Sequence, residues 1–206
     1  MPVSSPLRLS LAVVTTVAAI AGMAGTATAS DAVTGCPAAV TSNPFELWGD
    51  TADYQLAPAG DIEDGVASWS LTGGARAVEG NETFAVTSSS DHRSLRLPGS
   101  ASATTARMCI AAEHPSFRFF AKRQGGSAAG RLHVEVVYDD AAGNEVAMSA
   151  GEVAPSSQWT PSASLPTMVS EISGGDAVDV SFRFEAQGGG VWSIDDVYVD
   201  PTRSTR

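Results

Sequence analysis

Two adjacent aspartates, Asp195 and Asp196, interrupt the last β-rich stretch of the chain, GGGVWSIDDVYVDP at 188–201. Paired carboxylates can perform acid/base catalysis, bind a metal ion, or mark a strand whose two faces meet different surroundings. Glycoside hydrolysis needs two carboxylates that flank a sugar at a defined separation. Neighbouring residues of a strand point to opposite faces, so Asp195 and Asp196 are not expected to form such a pair. One should face solvent, and the other should be buried, where a carboxylate must be paired, hydrogen-bonded or bound to a metal.

The remaining catalytic signals are weaker. A second group of carboxylates lies in AGDIEDGVASW and comprises Asp61, Glu63 and Asp64. The chain has three histidines: His92, His114 and His133. No G-x-S-x-G elbow accompanies them, and no C-x-x-C or H-x-x-x-H spacing indicates zinc. We therefore expect each histidine to be an ordinary surface or loop residue.

The first 29 residues have the parts of a secretory signal peptide. Arg8 gives a positive start, LSLAVVTTVAAIAGMAG is apolar, and Ala27 and Ala29 supply the small residues of a cleavage site. A membrane-spanning helix is the alternative, but it needs about 20 apolar residues, more than this run supplies. Cleavage after Ala29 leaves 177 of the 206 residues, the size of one domain. We expect export without membrane insertion after cleavage.

The charge balance excludes one class of partner. The chain has 12 Lys and Arg against 23 Asp and Glu, a net charge of −11. The phosphate backbone of a nucleic acid would repel such a chain, so nucleic acid is not an expected partner. The basic face of a peripheral membrane binder is missing as well.

The only two cysteines are Cys36 and Cys109. In an oxidising compartment, one disulfide that ties the amino-terminal arm to the middle of the domain is the expected arrangement. A lipobox, VTGC at 33–36, is the alternative and would make Cys36 a lipidated anchor. However, TATASDA separates it from the apolar region, and lipidation would leave Cys109 unpaired.

Strand patterns dominate the mature chain. RLHVEVVYDD, DAVDVSFRFEA and SFRFFAKR alternate apolar and polar residues, and SWSLTG, TFAVTSS and SLRLPG are shorter candidates. GG, DG, GN and PG turns separate them, with DDAAGNE (139–145) as a hairpin loop. The pattern predicts an all-β fold, an antiparallel β-sandwich. We divide the chain into a signal peptide (1–29), an amino-terminal arm (30–54), the sandwich (55–200) and a polar tail (201–206).

The order of four segments resembles the carbohydrate-binding modules of the group that contains families 4, 9 and 22. These segments are GDIEDG…W, SFRFFAK, QWTPSASLP and VDVSFRFEAQGGGVWSIDDVYV, and they span about residues 55–200. The chain is also similar to uncharacterised secreted actinobacterial proteins. The resemblance implies a galactose-binding-like jelly roll. It also implies a structural calcium ion that links Asp61 and Glu63 of the opening element to Asp195, or to Asp196, of the closing strand. Ile62 departs from the aromatic residue usual there. The alternative to calcium is that backbone N–H groups hold the buried aspartate.

Sugar binding needs exposed aromatic rings beside polar groups. Trp69 and Trp192 lie within strand patterns and are expected in the core, and the resemblance gives Trp159 a structural role at a strand entrance. Trp48 and Tyr54, in ELWGDTADYQ, are the candidate ligand-binding residues, or else form a lid over one end of the sandwich. We therefore predict a secreted, non-catalytic binding module for extracellular or cell-envelope carbohydrate. The alternative is a structural or protein-interaction protein of the envelope, and a carboxylate-based hydrolase ranks last.

Overall fold

A computed structural model of the chain describes residues 35–201. The predicted signal peptide and residues 202–206 of the polar tail lie outside the described residues. None of the helices within 35–201 is long and apolar enough to cross a membrane. The helices are a 3-10 helix at Glu46–Trp48 and α1 at Val169–Ser173. The strands are β1 (Thr41–Ser42), β2 (Tyr54–Leu56), β3 (Ser70–Thr72), β4 (Arg76–Glu79), β5 (Arg93–Leu97), β6 (Ser102–Thr104), β7 (Met108–Ile110), β8 (Ser116–Gly126), β9 (Arg131–Asp139), β10 (Glu145–Val153), β11 (Thr160–Pro161), β12 (Leu165–Pro166), β13 (Val178–Gln187) and β14 (Gly190–Asp200).

The strands form two antiparallel sheets. The first sheet has the order β1-β2-β14-β5-β4, with β8 on the other side of β14 and with β11 and β12 paired to β8. The second has the order β10-β9-β13-β6-β3, with β7 also paired to β13. The described part of the chain is therefore the antiparallel β-sandwich that the alternation of its strands predicts.

The core lies between the sheets and is rich in aromatic residues. Phe117 of β8 stacks on Phe182 of β13 with ring centroids 4.1 Å apart, and Phe119 meets Phe184 edge-to-face at 4.8 Å. Trp192 is fully buried in the same core. Trp69 also lies there, 6 % exposed. The prediction that Trp69 and Trp192 are core residues is confirmed.

One predicted strand, TFAVTSS at 83–89, is wrong. The segment is a loop, because the carboxylate of Glu82 accepts hydrogen bonds from the N–H groups of Phe84 and Val86 (3.1 Å to Val86). These donors are used locally and do not enter a ladder. We call residues 80–92 the 80–92 loop.

The closing strand β14 departs from simple alternation at Asp196. On β8 the register advances from Phe120 to Arg118 while on β14 it advances from Asp195 to Tyr198, so β14 contains one extra residue. Asp196 has φ 51° at this bulge. A bulge of this kind shifts the following side chains to the other face. Accordingly Ile194 and Val197 both face the core.

The bulge corrects the prediction that one aspartate faces solvent. Asp195 and Asp196 are both buried, each 2 % exposed. Both are bonded by the 80–92 loop, on the side of the first sheet that faces away from the sandwich core.

The predicted disulfide joins Cys36 to Cys109, with the Cα atoms 5.5 Å apart. It ties the arm to β7, 73 residues along the chain. This pairing leaves Cys36 no free thiol for the alternative, a lipid anchor.

Candidate functional site

The amino-terminal arm is anchored to the outer face of the first sheet through Asp50. Its carboxylate accepts hydrogen bonds from the Tyr54 hydroxyl (2.8 Å) and from Nη1 of Arg118 on β8 (2.7 Å). Arg118 also donates to the carbonyl of Ser162 and lies 4.3 Å above the ring of Phe45. Burial alone would raise the pKa of Asp50, but the bonds from Tyr54, Ala52 and Arg118 outweigh it and bring the pKa below the usual 3.8. The carboxylate therefore remains ionised and holds the arm in place.

Under the arm lies a second apolar cluster, separate from the core between the sheets. It consists of Phe45, Tyr54, Phe120, Trp159 and Tyr198. Phe45 is fully buried and lies at the centre of this set. Its ring stacks on that of Phe120 at 5.4 Å and meets those of Tyr54 and Tyr198 edge-to-face. The arm thus covers the central part of a sheet face that would otherwise expose aromatic rings.

This cluster corrects one of the two predicted ligand-binding residues. Tyr54 is only 2 % exposed, and burial together with its bond to Asp50 raises the pKa of its hydroxyl. It cannot present its ring to a ligand in this conformation. Its position matches the alternative stated for the segment, a lid packed on the sandwich.

The other predicted residue, Trp48, lies at the border of the cluster and is half-buried. Its ring meets Phe84 of the 80–92 loop edge-to-face at 4.7 Å and rests on Phe120 at 5.3 Å. Phe84 is 38 % exposed and Leu47 is 78 % exposed. Together with the exposed Glu46, these side chains form what we call the arm surface (Glu46, Leu47, Trp48 and Phe84). A hollow of about 210 Å³ lies beside it, bordered by Asn43, Pro44 and Val86.

The paired aspartates lie below the 80–92 loop and hold it by hydrogen bonds. Asp195 accepts from the N–H of Glu82 at 3.0 Å and from the N–H of Asp196 at 3.0 Å. Asp196 accepts from the hydroxyl of Thr87 at 2.7 Å, and that hydroxyl also bonds Tyr198 at 2.6 Å. Backbone donors therefore hold Asp195, the alternative to calcium that the sequence left open.

Burial and neighbouring negative charges disfavour the charged forms of this pair. Burial, followed by the neighbouring charge of Asp196, raises the pKa of Asp195 to about 9. Burial likewise raises the pKa of Asp196 to about 7, with the acidic neighbours Glu82, Asp91 and Asp61 adding to the effect and Thr87 opposing it. The pair therefore retains at least one proton in neutral solution.

The predicted calcium ligands are not arranged as a group that could hold a metal ion. Glu63 accepts from the N–H groups of His92 (2.8 Å) and Arg93 (2.7 Å) and so holds the start of β5. Asp195 is committed to backbone donors. Within residues 35–201, no three His, Cys, Asp or Glu side chains are arranged to hold a metal ion. A calcium ion that used Asp61, Glu63, Asp195 and Asp196 would need these side chains to move, and calcium stays a prediction.

The opening element does contact the closing strand, but through the backbone. Gly60 accepts from the N–H of Val197 at 3.1 Å, and Ala57 donates to the carbonyl of Val197 at 2.8 Å. A Cβ at Gly60 would lie 2.7 Å from that carbonyl oxygen, so only glycine permits the approach. Ile62, which replaces the usual aromatic residue, is fully buried in the core.

The three histidines lie on the surface or in loops, as expected, but one of them is buried. His92 is exposed, with Nδ1 2.9 Å from Glu63, and His133 lies on the outer face of the second sheet, 3.7 Å from Glu135. His114 is instead buried, 4 % exposed, because the loop that carries it turns back onto the sandwich. Its flanking residues Glu113 and Pro115 gave no sign of burial.

No family model and no curated protein matches the chain. Several solved structures are similar to it. The CBM22-1–GH10 modules of Clostridium thermocellum xylanase 10B with xylohexaose are 17 % identical, with a TM-score of 0.45 over 68 % of this chain. The chain spans 27 % of that structure's length. The C-terminal family 22 carbohydrate-binding module of the same xylanase is 16 % identical (TM-score 0.44, 71 % of this chain and 93 % of that one). TmCBM61 in complex with β-1,4-galactotriose is 16 % identical (TM-score 0.39, 71 % and 97 %). Family 22, named from the sequence, recurs among these structures.

Proposed function

We propose that this chain is a secreted, non-catalytic binding module whose ligand is an extracellular or cell-envelope polysaccharide, bound at the arm surface. The observation that carries the proposal is the pair of rings Trp48 and Phe84, partly exposed and supported from below by the buried Phe120. Aromatic rings contribute large apolar contact areas at low conformational cost, and the apolar face of a sugar can pack on them. The Glu46 carboxylate beside the rings can accept bonds from hydroxyl groups.

The carboxylates support the non-catalytic part of the proposal. Hydrolysis of a glycosidic bond needs two carboxylates that both reach the substrate. Asp195 and Asp196 are each 2 % exposed and bonded to the 80–92 loop, so neither reaches a ligand on the surface. Their part is to position the loop.

A second candidate function, a protein-interaction module of the envelope, is favoured by one observation. Val40 is 93 % exposed and Leu47 is 78 % exposed, both in the arm. A contiguous apolar patch that included both side chains would suit a protein partner. The two candidates differ in what they capture, so one set of variants tests both.

The test uses the mature, oxidised chain in pull-downs on insoluble polysaccharides and in calorimetry with soluble oligosaccharides. Trp48→Ala should weaken binding about tenfold or more, since a stacking ring contributes on the order of 1 kcal/mol beyond its buried area. Phe84→Leu keeps an apolar side chain but removes the ring, and should weaken binding less. Glu152→Ala, exposed on the second sheet, is the matched control and should leave binding unchanged.

Two results together would replace this proposal by the protein-interaction function. The protein would bind no polysaccharide, and it would cross-link to an envelope protein, a cross-link that Leu47→Asp abolishes. Binding that survives Trp48→Ala and Phe84→Leu would place the sugar elsewhere on the molecule.

A further inference from the structure

A pocket of about 260 Å³ lies beside the disulfide and is lined by residues other than those of the arm surface. Cys36 and the following residues of the arm form one wall, Thr41 and Gln55 of the β1–β2 pair form another, and Pro201 closes one side. Glu113 and His114 lie on the remaining side. The disulfide and the β1–β2 pairing together hold the arm residues at this pocket.

His114 is held rigidly at this pocket. Its N–H donates to the carbonyl of Ala111 (2.8 Å), and its own carbonyl accepts from the hydroxyl of Thr167 (2.5 Å). The ring nitrogen Nδ1 accepts from the N–H of Ala111 (3.2 Å). A neutral imidazole whose Nδ1 accepts carries its proton on Nε2.

The Nε2–H group of His114 is the ring's remaining donor. The residue is 4 % exposed, and it forms part of the pocket lining. Burial lowers the pKa of His114 below the usual 6.5, against the opposing charges of Glu113 and Asp200, so the ring is neutral at pH 7. A ring N–H at the pocket wall can donate to an acceptor that enters the pocket.

Three further polar groups line the same space. The Gln55 amide can both donate and accept, the Thr41 hydroxyl can do either, and the Glu113 carboxylate accepts. All three residues are only partly buried, so a solute can reach them. Proline, alanine and the disulfide supply the apolar remainder of the wall.

We propose that this pocket binds a single neutral sugar ring or polyol, with one hydroxyl accepting from His114 Nε2 and another donating to Glu113. A hydroxyl group is the ligand chemistry that satisfies both a donor and a carboxylate acceptor side by side. Glu113 and the net charge of −11 disfavour an anion. The volume is below the range of roughly 300–1,000 Å³ typical of drug-sized ligands, which suits one ring and not a chain.

The test follows the imidazole signals of His114 by NMR in the isotope-labelled mature chain with the disulfide intact. The probes are D-galactose, D-glucose, D-xylose and sorbitol, each added separately. A saturable shift of the Nε2–H signal with at least one probe is expected. Gln55→Ala and Glu113→Gln should each weaken that binding about tenfold, the effect of one lost hydrogen bond to a polar or charged group.

The control variant is Trp48→Ala, which should leave the His114 titration unchanged whatever it does to polysaccharide binding. This separates the pocket from the arm surface, so one proposal can fail while the other holds. The pocket proposal is overturned if none of the four probes gives a saturable shift. It is also overturned if Gln55→Ala and Glu113→Gln leave the affinity unchanged, or if Trp48→Ala abolishes the titration.

Discussion

Replacing Phe45 by alanine tests whether the arm closes a second core. Phe45 is fully buried and contacts the rings of Phe120, Tyr54 and Tyr198 and the guanidinium of Arg118. Truncation of a buried phenylalanine typically costs about 3–5 kcal/mol in lost transfer energy and residual cavity. That is a large share of a total stability of about 5–15 kcal/mol. For a domain of this size it corresponds to a fall in melting temperature on the order of 10 °C.

Urea unfolding of the oxidised protein, followed by tryptophan fluorescence, measures this loss. The disulfide keeps the arm attached in wild type and variant alike, so the difference reports packing and not tethering. Phe84→Ala is the matched control: its ring borders the same cluster but is 38 % exposed, so we expect a loss of about 1 kcal/mol. If Phe45→Ala costs no more than Phe84→Ala, the arm does not stabilise the sandwich by packing, and the lid interpretation of this segment fails.

Two predictions concern the buried carboxylates. With a chelator present, the free energy of unfolding should fall as the pH rises from 5 to 7. Folding raises the pKa of Asp195 and Asp196, so their contribution is complete below about pH 4 and is lost towards their folded pKa values of about 9 and 7. Each proton that the folded state retains gives a slope of about 1.4 kcal/mol per pH unit. Urea unfolding at pH 5, 6 and 7 measures this slope, and Asp195→Asn should make the slope smaller. An equal slope in both proteins would contradict the assignment of the raised pKa to Asp195. We also predict that at pH 7 a calcium chelator lowers the melting temperature of the untreated protein, since a bound cation would relieve the repulsion among these carboxylates. An unchanged melting temperature would contradict the prediction of a bound calcium ion.

The sequence predicted the sandwich core because its strands are half-buried. A strand with one face in the core and one in solvent alternates with a period of two, and this pattern placed Phe117 and Phe119 on one side of β8 and Phe182 and Phe184 on one side of β13. The disulfide followed from the compartment and the number of cysteines. None of these inferences needed knowledge of which segments meet in space.

The same reasoning failed where a strand is covered on both faces. β14 is buried along nearly its whole length, with the core on one side and the arm and the 80–92 loop on the other. Its one extra residue reverses the alternation after Asp195, and no residue type signals such a bulge. The burial of Tyr54 and His114 was not assigned for a related reason, because turn-rich segments give no sign of the surface on which they pack. The run VYV after the aspartates was the one available hint of a strand buried on both faces.

The paired aspartates acquire a role once the arm surface and the 80–92 loop are considered together. Burying a carboxylate costs several kcal/mol unless donors compensate it. Here the donors belong to the loop: Asp195 bonds the N–H of Glu82, and the carboxylate of Glu82 bonds the N–H of Phe84. A continuous series of hydrogen bonds thus runs from the last strand to the backbone of Phe84, whose ring forms half of the proposed binding platform. We expect that a shorter or neutral side chain at Asp195 or Glu82 would shift Phe84 relative to Trp48, although neither residue contacts the ligand. We therefore infer that Asp195 and Asp196 set the shape of the proposed binding surface through hydrogen bonds to the 80–92 loop.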